Sequence, residues 1–272
     1  MKKRWLTATL LASLTGSSAF ADKINHVAMA QFDYIQARQG SLDTDTRQLL
    51  LTTYLEEVSH TIHPHTQASF LERAASITLA YIDLDTELPF FGDTSGSASG
   101  IDIEYVALTH MVLGVGYNRS RLKNLSRQNT HTLSLGRYLD DTSRLLLTYA
   151  NARNKPVWGE RSNTYTYGIE YKNVTKHLNA RALTLDMKAN HIDASDGNSN
   201  LLSLQAEYHF NPATSVTGGL QLVTGHERSQ ELSLSLLQFL TPGFALGAGF
   251  THHDPSGQRH SNSLALRARL LF

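Results

Sequence analysis

Five pairs of ionisable side chains, each two positions apart in the chain, could act together on a polar solute or ion. The pairs are Asp102 and Glu104, Glu170 and Lys172, Asp186 and Lys188, Glu207 and His209, and Arg267 and Arg269. Side chains two positions apart in a β-strand point to the same side. Each pair would therefore present both charges to one surface. Such surfaces either act on polar solutes and ions or brace a fold through pairs of opposite charges, and both readings stay open.

Three other groups of residues have the types that catalysis or metal binding needs. The run Asn190-His191 to Ser195 has the residue types of an outer-membrane phospholipase, but the wrong spacing. An omptin-like protease needs paired acids, and Asp140-Asp141 reads instead as a turn. The histidines near 252–260 lack a matched set of carboxylates, so we expect no metal site. No glycine-rich phosphate loop is seen. We expect neither an enzyme nor a cofactor.

Strict alternation of apolar and polar residues surrounds the charged pairs. Leu202, Leu204, Ala206, Tyr208 and Phe210, for example, alternate with polar residues. Period-two alternation predicts β-strands, because a helix would not keep it. The predicted strands lie near residues 27–37, 47–58, 73–84, 101–108, 111–121, 129–139, 143–154, 163–173, 177–190, 201–211, 214–225, 231–241, 244–253 and 262–272. These fourteen strands predict an all-β fold, a transmembrane antiparallel up-and-down barrel.

The strand count has one alternative. Residues 47–58 also fit one face of a helix. If that segment is a helix and the first strand lies outside the wall, twelve strands remain. Fourteen is preferred, because Ile77 and Tyr81 need strand partners.

The last strand has a particular pattern. Leu264, Leu266, Ala268, Leu270 and Phe272 share one face, and the two arginines lie on the other. An apolar strand that ends on an aromatic residue resembles the closing strand of bacterial outer-membrane barrels. That resemblance implies an assembly signal at Leu266, Ala268, Leu270 and Phe272, which the barrel-assembly machinery would read.

The first residues predict export. Lys2, Lys3 and Arg4 precede an apolar run, and Ala19-Phe20-Ala21 supplies the small residues of a cleavage site, so residues 1–21 read as a signal peptide. Residues 22–272 are then one barrel domain, with 21 basic and 24 acidic residues left from the 24 of each in the chain. This balance argues against a nucleic-acid partner. The chain has no cysteine.

The connections are predicted to alternate in length. Tight turns are expected at Asp140-Asp141, 173–175, 211–213 and 241–243, and longer loops at 154–163, 191–200 and 254–259. Short turns face the periplasm in outer-membrane barrels and longer loops face outward. The longest loop is predicted at 86–100, where it would either constrict the lumen or stand outside. No region resembles a plug domain.

A family resemblance covers about thirty residues. Thr53-Tyr54, then Pro64 and the run from Gln67 to Tyr81, look like the second hairpin of a family of bacterial general porins. The resemblance implies an outer-membrane channel for passive diffusion of small polar solutes or ions. Its partners would be outer-membrane lipid and the permeating solutes, and the ten paired residues would line the pore. A barrel enzyme and a non-conducting structural or receptor barrel are the alternatives.

Overall fold

The chain forms a closed antiparallel barrel of fourteen strands. The structure is a computed structural model that describes residues 25–39, 42–59, 63–87, 94–123, 125–157, 159–176, 181–195, 197–226, 228–257 and 259–272. Every strand pairs with its neighbours in sequence, and the first strand pairs with the last. The predicted fold and the count of fourteen are therefore confirmed. The predicted signal peptide lies outside the described residues.

The strands are 11 to 18 residues long. The strands are β1 (Asn25–Gln39), β2 (Leu42–Ser59), β3 (Ser76–Glu87), β4 (Thr94–Val106), β5 (Met111–Leu122), β6 (Ser126–Tyr138), β7 (Ser143–Pro156), β8 (Ser162–Lys176), β9 (Ala182–Ala194), β10 (Gly197–Asn211), β11 (Thr214–Gly225), β12 (Ser229–Thr241), β13 (Phe244–Pro255) and β14 (Ser261–Leu271). Residues 47–58 lie within β2, which pairs with both β1 and β3. The helical alternative for this segment is wrong.

Three predicted connections are wrong for a common reason. Residues 173–175 pair with 183–185 inside the β8–β9 ladder. Most of 191–200 is paired between β9 and β10. Residues 94–100 belong to β4, so only 88–93 separate it from β3, and these lie outside the described residues. The polar ends of these strands keep pairing because a backbone ladder satisfies N–H and C=O groups whatever the side chains are. Polar composition alone therefore overestimates loop length.

The two faces of the wall differ in chemistry. The outer face carries large apolar side chains that are exposed, such as Leu133, Leu234 and Leu266. The inner face at the same level carries Ser, Thr, Gly and Gln. Exposed aromatic residues such as Tyr105, Tyr117 and Phe210 flank the apolar zone. An apolar band with flanking aromatic residues is typical of barrels in lipid. No helix in the described part of the chain is long and apolar enough to cross a bilayer.

The start of β1 and the end of β14 lie together. The N–H groups of Val27 and Ala28 both donate to the Phe272 carbonyl, at 3.0 and 2.8 Å, and the Phe272 N–H donates to the Ala28 carbonyl at 3.0 Å. We call this end of the barrel the terminal end and the opposite one the distal end. The β2–β3 connection lies at the terminal end. Its described part, residues 63–75, contains the short helix α1 (Ala68–Leu71), and we call it the lumen segment.

Candidate functional site: a charged inner wall and a segment that fills one mouth

All ten residues of the five predicted pairs lie on the inner face of the wall. The strand registers set this arrangement, since each pair shares its face with small or polar neighbours on the adjacent strands. Most of the ten residues lie in the half of their strand nearest the terminal end, and Lys188 lies at the middle of β9. The structure thus brings together residues from β4, β8, β9, β10 and β14 that the sequence could only place one strand at a time.

A chain of ion pairs crosses six strands. Arg144 on β7 contacts Glu104 on β4, with Nη1 and Oε1 2.8 Å apart, and Glu170 on β8 at 3.3 Å. Lys188 on β9 continues the chain to Glu170 at 3.1 Å. The Arg144 side chain is 11% exposed. Sequence analysis missed Arg144, because no second charge stands two positions away to mark it.

Glycines lie on the strands between Glu104 and Arg144. Gly114 faces Glu104 directly, and Gly136 lies beside Leu146. A Cβ atom at Gly136 would lie 2.2 Å from the Leu145 carbonyl oxygen. A larger residue there would force the wall apart. Gly136 is therefore needed for the close packing of β6 against β7.

A second set of polar contacts joins the first and last strands. Arg267 Nε and Nη2 donate to Asp33 Oδ1 and Oδ2 at 2.8 and 3.2 Å. Arg269 donates twice to Gln31 Oε1, at 3.1 and 2.7 Å. Gln31 in turn donates to Asp33 at 2.9 Å. Asp33 and Gln31 were not predicted, since β1 carries no second charge at that spacing. These contacts brace the strand pair that closes the barrel.

The lumen segment folds into the terminal end and binds the charged wall. Thr66 and Gln67 donate to the two carboxylate oxygens of Glu207, at 3.1 and 2.7 Å. The Phe70 ring packs on Tyr138, with ring centroids 5.4 Å apart, and the Tyr138 hydroxyl donates to the Phe70 carbonyl at 3.1 Å. Lys172 Nζ lies 4.6 Å from the centre of the Phe70 ring. The segment is thus held by β6, β8 and β10 together.

Two further contacts hold the lumen segment at the rim. Arg73 forms an ion pair with Asp141 in the β6–β7 turn. The His65 N–H donates to the Pro212 carbonyl at 3.0 Å, and its ring contacts Phe239 edge-on, with centroids 4.9 Å apart. Burial lowers the pKa of His65. The element at the terminal mouth is therefore the β2–β3 connection itself and not a separate domain.

A cavity of about 180 Å³ remains between the lumen segment and the wall. Its lining includes Gln67 and Glu207 together with Arg267 and Arg269. The cavity therefore offers both a carboxylate and guanidinium groups to a small polar molecule. Its other lining residues are mostly small, including Gly247, Gly249 and Ser235.

The distal half of the inner face has a different character. Asn118, Thr130 and Ser203 are typical of it, and most inner positions there are small or uncharged. Glu231 and His253 are an exception within the described ranges, 3.7 Å apart. The lumen is therefore charged toward the terminal end and nearly neutral toward the distal end.

The residues considered for catalysis or metal binding are not assembled into such sites. His191 Nδ1 and Asn200 Oδ1 are 2.9 Å apart on the outer face, but the same-face neighbours of His191 on β9 are Ala189 and Asp193, which offer no hydroxyl nucleophile. The run to Ser195 therefore does not form a triad around His191.

The acidic turn and the distal histidines have local roles. Hydrogen bonds from Ser143 and Thr142 hold the pKa of Asp140 below its ordinary value. These hydrogen bonds stabilise the β6–β7 turn, so the role of Asp140 is structural. His252 bonds Asn262 at 2.7 Å, while His253 points inward. Among the described residues no group of three or more His, Asp or Glu side chains is placed to bind a metal.

Comparison with solved structures identifies the fold. The outer membrane protein Omp33 of Acinetobacter baumannii aligns over 92% of this chain and 100% of its own, with a TM-score of 0.64 and 17% identity. A bacterial polysaccharide outer membrane secretin aligns over 91% and 99%, with a TM-score of 0.55 and 7% identity. No protein-family model matches the sequence, and a search of curated proteins gives no match either. The chain therefore has the fold of outer-membrane β-barrels.

Proposed function

We propose that this chain is an outer-membrane channel through which small polar solutes or ions diffuse passively. In this proposal the terminal end faces the periplasm and the distal end faces outward. A signal peptide would deliver the chain to the periplasm, and insertion from that side would leave both ends of the barrel domain there. The barrel-assembly machinery would read the last strand, and outer-membrane lipid would cover the apolar outer face.

The polar inner face is the observation that carries the proposal. Eight strands already enclose a space that side chains nearly fill, and this barrel has fourteen. Ionised groups at membrane depth are costly unless they face water. The inward charges of β4, β8, β9, β10 and β14 therefore favour a wet lumen, and the small distal side chains leave it wide.

Conduction through the channel depends on the position of the lumen segment. It occupies the terminal mouth, so conduction requires it either to shift or to leave a passage beside it. Some of its contacts with the wall are polar, notably Thr66 and Gln67 with Glu207, and others are apolar, since Phe70 packs in a buried cluster with wall residues that include Tyr138. The polar contacts can be exchanged for contacts with water, so we infer a closed state that opens by local release of this segment, at the cost of exposing Phe70.

The central test is conductance of the refolded chain in a planar bilayer. A double variant Thr66→Ala, Gln67→Ala removes both donors to Glu207 and should raise the open probability. The matched control is Ser261→Ala, Ser263→Ala, which removes two hydroxyls from the distal inner face and should leave gating unchanged. A chain that folds but never conducts, in the wild type and in the double variant, would contradict the channel proposal.

A non-conducting structural or receptor barrel is the second candidate. The filled terminal mouth favours it, since Phe70 and Tyr138 are both buried there. The same bilayer experiment separates the two, because a structural barrel stays silent after the segment is loosened. An enzyme has weaker support, since the His191–Asn200 pair lacks a hydroxyl beside it on its own strand.

A further inference from the structure

A cluster of cations covers the outer face of β5, β6 and β7 near the distal end. It consists of Arg119, Arg121, Arg127, Arg153 and Lys155, which we call the basic patch. All five side chains are exposed. They alternate with the inward residues of the same strands, so they project away from the lumen and take no part in the site described above.

The strand register places these cations directly against one another. Arg121 lies opposite Arg127 in the β5–β6 ladder, and Arg127 lies opposite Lys155 in the β6–β7 ladder. Side chains directly opposite on adjacent strands have Cβ atoms roughly 4.5–5.5 Å apart, and like charges there are destabilising. Three cations in one cross-strand row therefore raise the energy of the isolated barrel.

No acidic side chain relieves this repulsion among the residues that the structure describes. The salt bridges found there include none to the basic patch. Elsewhere on the same rim, cations do have acidic partners: Arg38 contacts Asp43 at 2.8 Å, and Arg47 contacts Asp83 at 3.5 Å. Unlike Arg38 and Arg47, the basic patch places several cations side by side without an acidic partner among the described residues, which points to an anionic partner outside the chain.

The position of the patch identifies the layer in which that partner lies. Arg119 follows Tyr117 by two positions on β5, and Arg153 follows Tyr149 by four on β7. Below these tyrosines the outer face carries Leu113, Leu133 and Leu147, all exposed. Tyrosine marks the membrane–water interface of barrels. The basic patch therefore lies at the level of lipid headgroups, directly above a surface suited to acyl chains.

We infer that the basic patch binds the phosphate groups of an outer-leaflet glycolipid of the lipid A type. The inference rests on the proposed function for its orientation, since that places the distal end in the outer leaflet. Arginine matches phosphate bidentately, and basic residues at a membrane surface each add to the attraction of anionic headgroups. The acyl chains would lie against the apolar face below, so one molecule would contact both surfaces.

Binding of defined lipids to the purified, refolded chain in detergent tests the inference by native mass spectrometry. The probes are bis-phosphorylated lipid A, the same lipid without phosphates, and phosphatidylglycerol. The variant is Arg121→Gln, Arg127→Gln, Lys155→Gln, and its matched control is Arg38→Gln, Arg47→Gln, at the same rim but in ion pairs with acids. We expect the patch variant to bind bis-phosphorylated lipid A roughly tenfold to a hundredfold more weakly, and the control to bind it normally.

Each remaining outcome either supports the inference that the basic patch binds lipid phosphates or overturns it. Wild-type binding that is weakened by loss of the phosphates, to the level of the patch variant, supports the inference. Equal binding of the dephosphorylated lipid would overturn it, because apolar contact alone would then suffice. Equal binding of phosphatidylglycerol would overturn the assignment to a glycolipid. The assay needs no conduction, so a silent bilayer would remove the channel proposal and leave this result unaffected.

Discussion

Arg267 on the last strand holds both carboxylate oxygens of Asp33 on the first, through Nε at 2.8 Å and Nη2 at 3.2 Å. The two residues are direct partners in the β1–β14 register. Asp33 is buried and Arg267 is partly exposed. The contact therefore links the two ends of the chain at the one strand pair that no hairpin connects.

Removing one partner of this pair should weaken the closed barrel. We expect Asp33→Asn or Arg267→Gln to cost about 1–2 kcal/mol, since charged hydrogen bonds contribute about 1.5–3 kcal/mol and the exposed part of Arg267 is screened. The temperature at which the folded band is lost on unboiled gels measures this. The exchange Asp33→Arg, Arg267→Asp should recover part of the loss. If all three variants were as stable as the wild type, the pair would contribute nothing to the stability of the barrel.

Arg144 should matter more than any exposed cation. The variant Arg144→Met removes the ion-pair partner of Glu104 and leaves Glu170 with Lys188 alone, and we expect a loss of about 3 kcal/mol. Arg137→Met is the control, because Arg137 is exposed on the outer face at the same end, and its effect should stay within about 0.5 kcal/mol. Chemical denaturation in lipid vesicles gives both values. A neutral Arg144→Met variant would show that the ion chain is not structural.

Phe70 should control the closed state. Truncation by Phe70→Ala removes the ring that packs on Tyr138 and lies beneath Lys172, and we expect longer and more frequent openings in single-channel records. Phe210→Ala removes an exposed ring from the outer face at the same end and should leave the records unchanged. If Phe70→Ala conducts like the wild type, the segment does not limit the current.

Selectivity should respond to Asp102 in particular. Its side chain lies over Gly116, where a Cβ would come within 2.2 Å of Oδ1, and it forms no salt bridge with a described residue. Asp102→Lys should therefore shift the reversal potential in a salt gradient toward anions while the barrel still folds. Asp193→Lys, on the outer face, should not. An unchanged potential in both variants would remove Asp102 from the permeation path.

Phe272 should be needed for assembly. Its backbone makes three hydrogen bonds with β1, and its ring is exposed to the lipid side. Deletion of Phe272 should lower the folded yield sharply, while Phe272→Tyr should keep it. Leu270→Asp should also lower the yield, because a charge on the outer face costs free energy that depends on depth, roughly 2–4 kcal/mol for basic residues at the midplane and less for acids. Normal yield after deletion would contradict this role.

The strands of the barrel wall could be predicted from the sequence, but the contacts inside the lumen could not. Alternation such as that of Leu202 to Phe210 reports directly which side of a strand is apolar, so strand number and face were predictable. Leu185 and Thr184 pair with residues that look like a turn, because backbone pairing at the rim does not depend on side-chain polarity. Strand ends were therefore less predictable than strand centres.

Contacts across the lumen left little signal in the sequence. Glu104 and Glu207 were recognised as inward, but their partners Arg144 and Gln67 are distant in the chain and have no local pattern. The acids of β4 and the arginines of β14 could set up an electric field across the lumen, but Glu104 is paired with Arg144 and Arg267 with Asp33. Glu104 and Arg267 are thus neutralised close by, which weakens any field across the pore.

The lumen segment has a consequence for the order of assembly. Its partners come much later in the chain: Tyr138 is 68 residues from Phe70, and Glu207 is 140 from Gln67. The nascent β2–β3 connection therefore has nowhere to dock until β6 through β10 have curved around it. Contacts between residues so far apart in sequence form late, because closing the long loop between them costs entropy. An early intermediate would keep residues 63–75 accessible to protease. Protection of these residues from cleavage would show that β6 through β10 have folded around them.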